Sequence, residues 1–121
     1  MATFTINEKE YELKLTFESV KRLNNSFEGG NIEVIGLALA GDFDAFPKIV
    51  HAALIHTGNN FTQKAVNGAI EEAFEREELT LESIQRITNE VVTDSFFYRP
   101  TVEKMFEGNP ALKKELEQIL G

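Results

Sequence analysis

The chain has no cysteine among its 121 residues. Neither a disulfide framework nor thiolate chemistry is open to it, which agrees with a reducing compartment. Positive charge is also scarce: 12 lysines and arginines stand against 20 aspartates and glutamates, a formal net charge of −8. That deficit disfavours nucleic acid phosphates and anionic lipid as partners and favours basic ones or none. No apolar run approaches the ~20 residues of a bilayer-spanning helix, and no secretory h-region follows Met1. The expected location is therefore the cytosol, where the sequons Asn24-Asn25-Ser26 and Asn60-Phe61-Thr62 are chance matches.

Signatures of chemistry are equally thin. Gly29-Gly30 lacks the lysine and the flanking strand of a phosphate loop, and no serine or threonine sits in a nucleophile elbow. His51 and His56 are the only histidines. On a helix they point about 140° apart, so they cannot share a metal ion and are read as structural. Asp42 and Asp44 sit where a helix begins, and capping free amides explains them better than ligation does. No catalytic residue, metal or cofactor is assigned, and an enzyme is not expected.

What the chain does contain is a strongly apolar middle. From Phe43 onward, Phe46, Ile49, Val50, Ala53 and Leu54 follow three- and four-residue spacing, with Ala52 and Ile55 on the other side. A helix apolar nearly all round belongs at the centre of a fold. Before it, Phe4, Ile6, Tyr11, Leu13, Leu15 and Phe17 alternate around the polar turn Asn7-Glu8-Lys9, which predicts a β-hairpin with one buried face over residues 2–17. Asn-Gly being absent, a longer turn is expected. Such a hairpin needs a helix to lie on or another chain to pair with.

Thr16 is the expected cap of a helix to about Phe27, and Asn31 the cap of a short apolar helix that Gly41 stops. Pro47 fits the first turn of the central helix, which Gly58 closes. Thr62 and Thr80 each open a helix, flanked by the staple pairs Phe61 with Val66 and Leu79 with Ile84. The second should run to about Tyr98, where Pro100 forces a restart, and Asn109-Pro110 begins a last helix with Leu112, Leu116, Ile119 and Leu120 on one face. The expectation is one α+β domain over residues 1–121, mostly helical: a hairpin at 2–17 and a helical bundle at 17–121, packed on a central buried helix.

Two features suggest a surface for partners. Glu71, Glu72, Glu75, Glu77, Glu78 and Glu82 surround a single Arg76, with Glu71 and Glu75, and Glu78 and Glu82, at like-charge spacings of one turn. An ordinary solvated face is the plainer account, a site for a basic partner the sharper one. Phe96-Phe97-Tyr98 covers most of a helix circumference, more than one core can take. Either a ring meets another chain or a packed C-terminal helix, or a turn at Pro100 buries the trio locally. Glu71, Glu72, Glu75, Glu78, Phe96, Phe97 and Tyr98 are thus the partner-binding candidates.

The segments INEKEYELKLTFESVKRLN, GDFDAFPKIVHAALIHTG and NNFT resemble, in order and style, the tail assembly chaperones of long-tailed phages and prophages of Gram-positive bacteria. The likeness covers about the first two thirds of the chain and includes no catalytic signature; from Leu79 onward it does not extend. It implies a non-catalytic protein of the bacterial host cytoplasm that coats the tape-measure protein, helps deliver major tail-tube subunits and is absent from the mature virion. It also implies that many relatives are made in a longer, frameshifted form. Self-association is compatible with the spare aromatic surface. The competing expectation is an acidic regulatory or inhibitory protein bound to one basic host partner.

Overall fold

The computed structural model describes residues 2–111 and 114. Strands β1 (Thr3–Ile6) and β2 (Lys9–Glu12) pair antiparallel, with Phe4 opposite Tyr11 and Ile6 opposite Lys9. The turn is tighter than expected: Asn7 and Glu8 alone form it, with φ of 53° and 68°. Two left-handed residues give the twist that suits a hairpin, and glutamate takes the place usually held by glycine. Ala2, Phe4, Ile6, Leu13 and Leu15 are buried as the alternation predicts, but Phe17 is 67% exposed. The side-chain period changes at Thr16, which caps the next helix, so Phe17 falls on its solvent face near the Lys21 amino group.

Helix α1 (Phe17–Asn25) opens with a capping box between Thr16 and Ser19 and buries Val20 and Leu23. Helix α2 (Gly30–Ala40) starts before Asn31, which is therefore not its cap. The Asn31 side chain instead accepts a hydrogen bond from Asn24, joining the end of α1 to the start of α2. Gly41 ends α2 at φ 66°, and a Cβ there would lie 2.8 Å from the Gln85 Cα. Only glycine meets both demands, so α2 ends tight against a later helix.

Helix α3 (Phe46–Ala53) is the central rod, shorter than the sequence suggests. Asp42 accepts from the Ala45 amide at 2.9 Å in the turn before it, whereas Asp44 is exposed. Phe46, Ile49, Val50, Ala52, Ala53 and Leu54 are all buried. α3 packs on α1 and on two later helices, α4 (Gln63–Glu75) and α5 (Leu81–Thr88). A single 3-10 turn (Ile55–Thr57) and Gly58 at φ 75° lead from it towards α4.

Thr62 caps α4 through the Ala65 amide, and Thr80 caps α5 in a second capping box, with Ser83. Val66 and Ile84 are fully buried; Phe61 turns its ring edge-on to Tyr11 at 5.1 Å and ties the hairpin to the start of α4. Glu77, at φ 58°, stands where glycine usually ends a helix; the Glu78 amide bonds the Ala73 carbonyl and folds the chain back.

α5 does not run on to Tyr98. It widens into one π-helical turn, Asn89–Thr93, and stops. The Thr88 hydroxyl and the Asn89 side-chain amide both donate to the Ala38 carbonyl, at 2.8 and 3.1 Å, while Gln85 donates to the Leu39 carbonyl at 3.2 Å. These side chains tie α5 to the end of α2: the Leu39 carbonyl gains a donor, and the Ala38 carbonyl, which also accepts from the Gly41 amide, gains two. α6 (Arg99–Glu107) follows, with Pro100 in its first turn and Val102 buried. Of the expected last helix, Leu112, Leu116, Ile119 and Leu120 lie outside the described residues.

Candidate binding surface

β1, α4 and α5 meet around a groove of about 480 Å³. Its first wall is the outer side of the hairpin, Thr3, Thr5, Asn7 and Glu8. Its second is α4 and its C-cap, through Ala69, Glu72, Ala73 and then Arg76; Leu79 and Ile87 supply apolar floor. Alanines one turn apart on α4 leave the space that larger side chains would fill. Glu8, Glu72 and Glu78 line it against one cation, Arg76, and all four are exposed. The groove is open, acidic at its rim and apolar below.

Glu72 and Glu78 are thus brought to one place. Glu71 and Glu75 are exposed on α4 but do not line the groove. The expected Glu78–Glu82 spacing on one helix does not arise, because α4 ends at Glu75 and α5 begins at Leu81. Thr3 and Thr5 carried no signal in the sequence beyond their outward places in the alternation.

The aromatic trio lies in the turn between the π-helical segment and α6, and its members have different environments. Phe96 is 61% exposed, Phe97 is half-buried against the core, and Tyr98 is 1% exposed. Consecutive edge-to-face contacts link them, at 6.4 and 5.0 Å. The reading of Tyr98 as a partner-facing ring is corrected: the early end of α5 turns it inward, and its hydroxyl donates to the Asn24 side chain at 2.6 Å. Phe96 alone of the three keeps most of its surface in solvent.

Burial pushes the Tyr98 phenol up from 10.0 to about 12, because the phenolate loses its hydration. The folded value lies above the unfolded one, so this group's contribution is fully present below pH 10 and is lost as pH rises toward about 12. Tyr98→Phe is expected to cost about 1 kcal/mol at neutral pH through the lost hydrogen bond and to remove that alkaline loss. Urea unfolding at neutral pH and across this window checks both.

His51 and His56 each donate from Nε2 to a backbone carbonyl, Phe61 at 2.8 Å and Glu12 at 2.7 Å. A cleft of about 300 Å³ lies beside His51, but its ring is held by Phe61, and Glu18 and Arg22 at its edge pair with each other at 3.8 Å. Among the described residues no group of three or more His, Asp or Glu is gathered as metal ligands are. None of the described helices is long and apolar enough to cross a membrane.

The fold and surface together define a small α+β domain, mainly helical, whose distinctive feature is an acidic groove beside a strand edge. The chain belongs to the phage tail assembly chaperone family: the family model for the phage tail assembly chaperone protein, TAC, matches residues 3–107. The likeness thus extends well past Leu79. No curated protein and no solved structure matches the chain.

Proposed function

We propose that the protein acts without catalysis, by coating the tape-measure protein during tail assembly and helping to recruit major tail-tube subunits in the bacterial host cytoplasm, and that it leaves before the virion is complete. The observation that carries this reading is the family match over residues 3–107. The exposed acidic face of α4 and the acidic groove support it, since they suit basic stretches of a client. A chaperone must also come off. Individually weak contacts repeated along a long client give hold and release together.

Co-expression with the tape-measure protein tests this. Many copies of the chain per client are expected, with binding that weakens as salt rises, since exposed charges are screened. The double reversal Glu71→Lys with Glu75→Lys should weaken it about tenfold, at about 0.2–1 kcal/mol per lost exposed pair and more for repulsion, with the melting temperature almost unchanged. One tight, stoichiometric complex with a basic host protein, and no binding to tape measure, would instead establish the regulatory alternative.

A further inference from the structure

We infer that the outer edge of β1 docks an extended, basic segment of a protein partner, which adds as a third strand in the groove between β1 and α4. In an antiparallel pair, residues alternately turn both backbone groups toward the partner strand and away from it. The Leu13 amide bonds the Ala2 carbonyl at 2.9 Å. With Phe4 opposite Tyr11 and Ile6 opposite Lys9, alternation puts Ala2, Phe4 and Ile6 on the rungs and turns the amides and carbonyls of Thr3 and Thr5 outward. Among the described residues those four groups take no hydrogen bond.

The other edge of the hairpin is held at its far end; the outward groups of Glu10 are also unbonded among the described residues, but β2, Lys-Glu-Tyr-Glu, is blunted by its charges. The Glu12 carbonyl accepts from His56 at 2.7 Å, and the Lys14 amide donates to the Ala53 carbonyl at 3.1 Å. Open edges are normally blunted by lysine, proline or a bulge, and β1, Thr-Phe-Thr-Ile, carries none of these. An unblunted edge that also lines an open groove is the arrangement that strand addition uses.

Charge selects the occupant. A second copy of this chain pairing edge to edge would set one acidic rim, Glu8, Glu72 and Glu78, against another. A segment alternating small apolar and basic side chains meets the rim with opposite charge and sets its apolar residues over Ala69 and Ala73. The choice of a protein segment rests on the proposed chaperone role; the open edge does not.

The test uses the whole chain and a blocked peptide of alternating valine and lysine, with a helical alanine–lysine peptide of equal charge for comparison. The valine–lysine peptide should bind more tightly and protect the Thr3 and Thr5 amides from hydrogen exchange. Thr5→Pro removes an outward amide without removing a rung to β2 and should weaken that binding about tenfold with thermal unfolding unchanged. Equal binding of the two peptides, or undiminished exchange at Thr3 and Thr5, overturns strand addition. A dimer of the free chain that Thr5→Pro dissolves overturns the choice of occupant. Should Thr5→Pro unfold the hairpin, amide protection in the unaltered chain decides alone. Peptide binding without tape-measure binding strikes the proposed function and spares the groove; tape-measure binding unaffected by Thr5→Pro does the reverse.

Discussion

Tyr98→Ala is expected to cost about 3–5 kcal/mol, as large-to-small substitutions of buried aromatic rings do, and so to remove a large share of a stability that for such domains totals about 5–15 kcal/mol. Tyr98 is fully buried, and its hydroxyl holds Asn24 near the end of α1 at 2.6 Å, across 74 residues of sequence. Truncation leaves a cavity between α1 and the turn before α6, and leaves the Asn24 oxygen without its donor. Phe96→Ser, two positions earlier and mostly in solvent, should stay within about 0.5 kcal/mol. Urea denaturation of the two variants side by side measures the contrast. Equal costs would mean that the turn does not hold the trio as described, and loss of partner binding in Tyr98→Ala would carry no information about a binding face.

Phe46→Ala is expected to cost a similar amount, about 3–5 kcal/mol, for a different reason. Phe46 opens α3 and is 1% exposed, on a helix that packs on α1, α4 and α5. Removing its ring leaves a cavity in the core that this helix organises, so the loss should appear as a lower denaturation midpoint. Neighbouring Phe43 is half out of the protein, resting on Phe74 with ring centroids 5.6 Å apart, and supplies the comparison. A cost for Phe46→Ala below that for Phe43→Ala would place the centre of the core elsewhere.

The elements that could be read from the chain are those whose causes are local. Thr16, Thr62 and Thr80 each satisfy an amide three residues on, so the helix starts follow from neighbours in sequence. The hairpin follows from alternation, and the left-handed Gly41 and Gly58 from the absence of a Cβ. The largest error has a distant partner behind it. The helix expected to reach Tyr98 widens at Asn89 and ends at Thr93, just where Thr88 and Asn89 bond the Ala38 carbonyl, about fifty residues away in the chain. No window of sequence contains that partner. Phe17 misled in a smaller way: it fits the strand's alternation but is the first residue of a helix.

For the binding surface, composition by itself established an acid-rich chain without thiols, and pattern established a hairpin and a buried central rod, because charge and periodicity belong to the chain before it folds. Which acids act together was decided only by tertiary structure. Glu72 lines the groove from α4 itself, and Glu78 joins it because Glu77 turns the chain back after α4, whereas Glu71 and Glu75 are left on open helix surface. The same holds for the strand edges. β2 is charged where β1 is not, but it is packing that sets His56 and Ala53 against the far end of β2 and leaves Thr3 and Thr5 beside the groove. A backbone group's partner is set by where other segments lie, and side-chain identity does not encode that position locally.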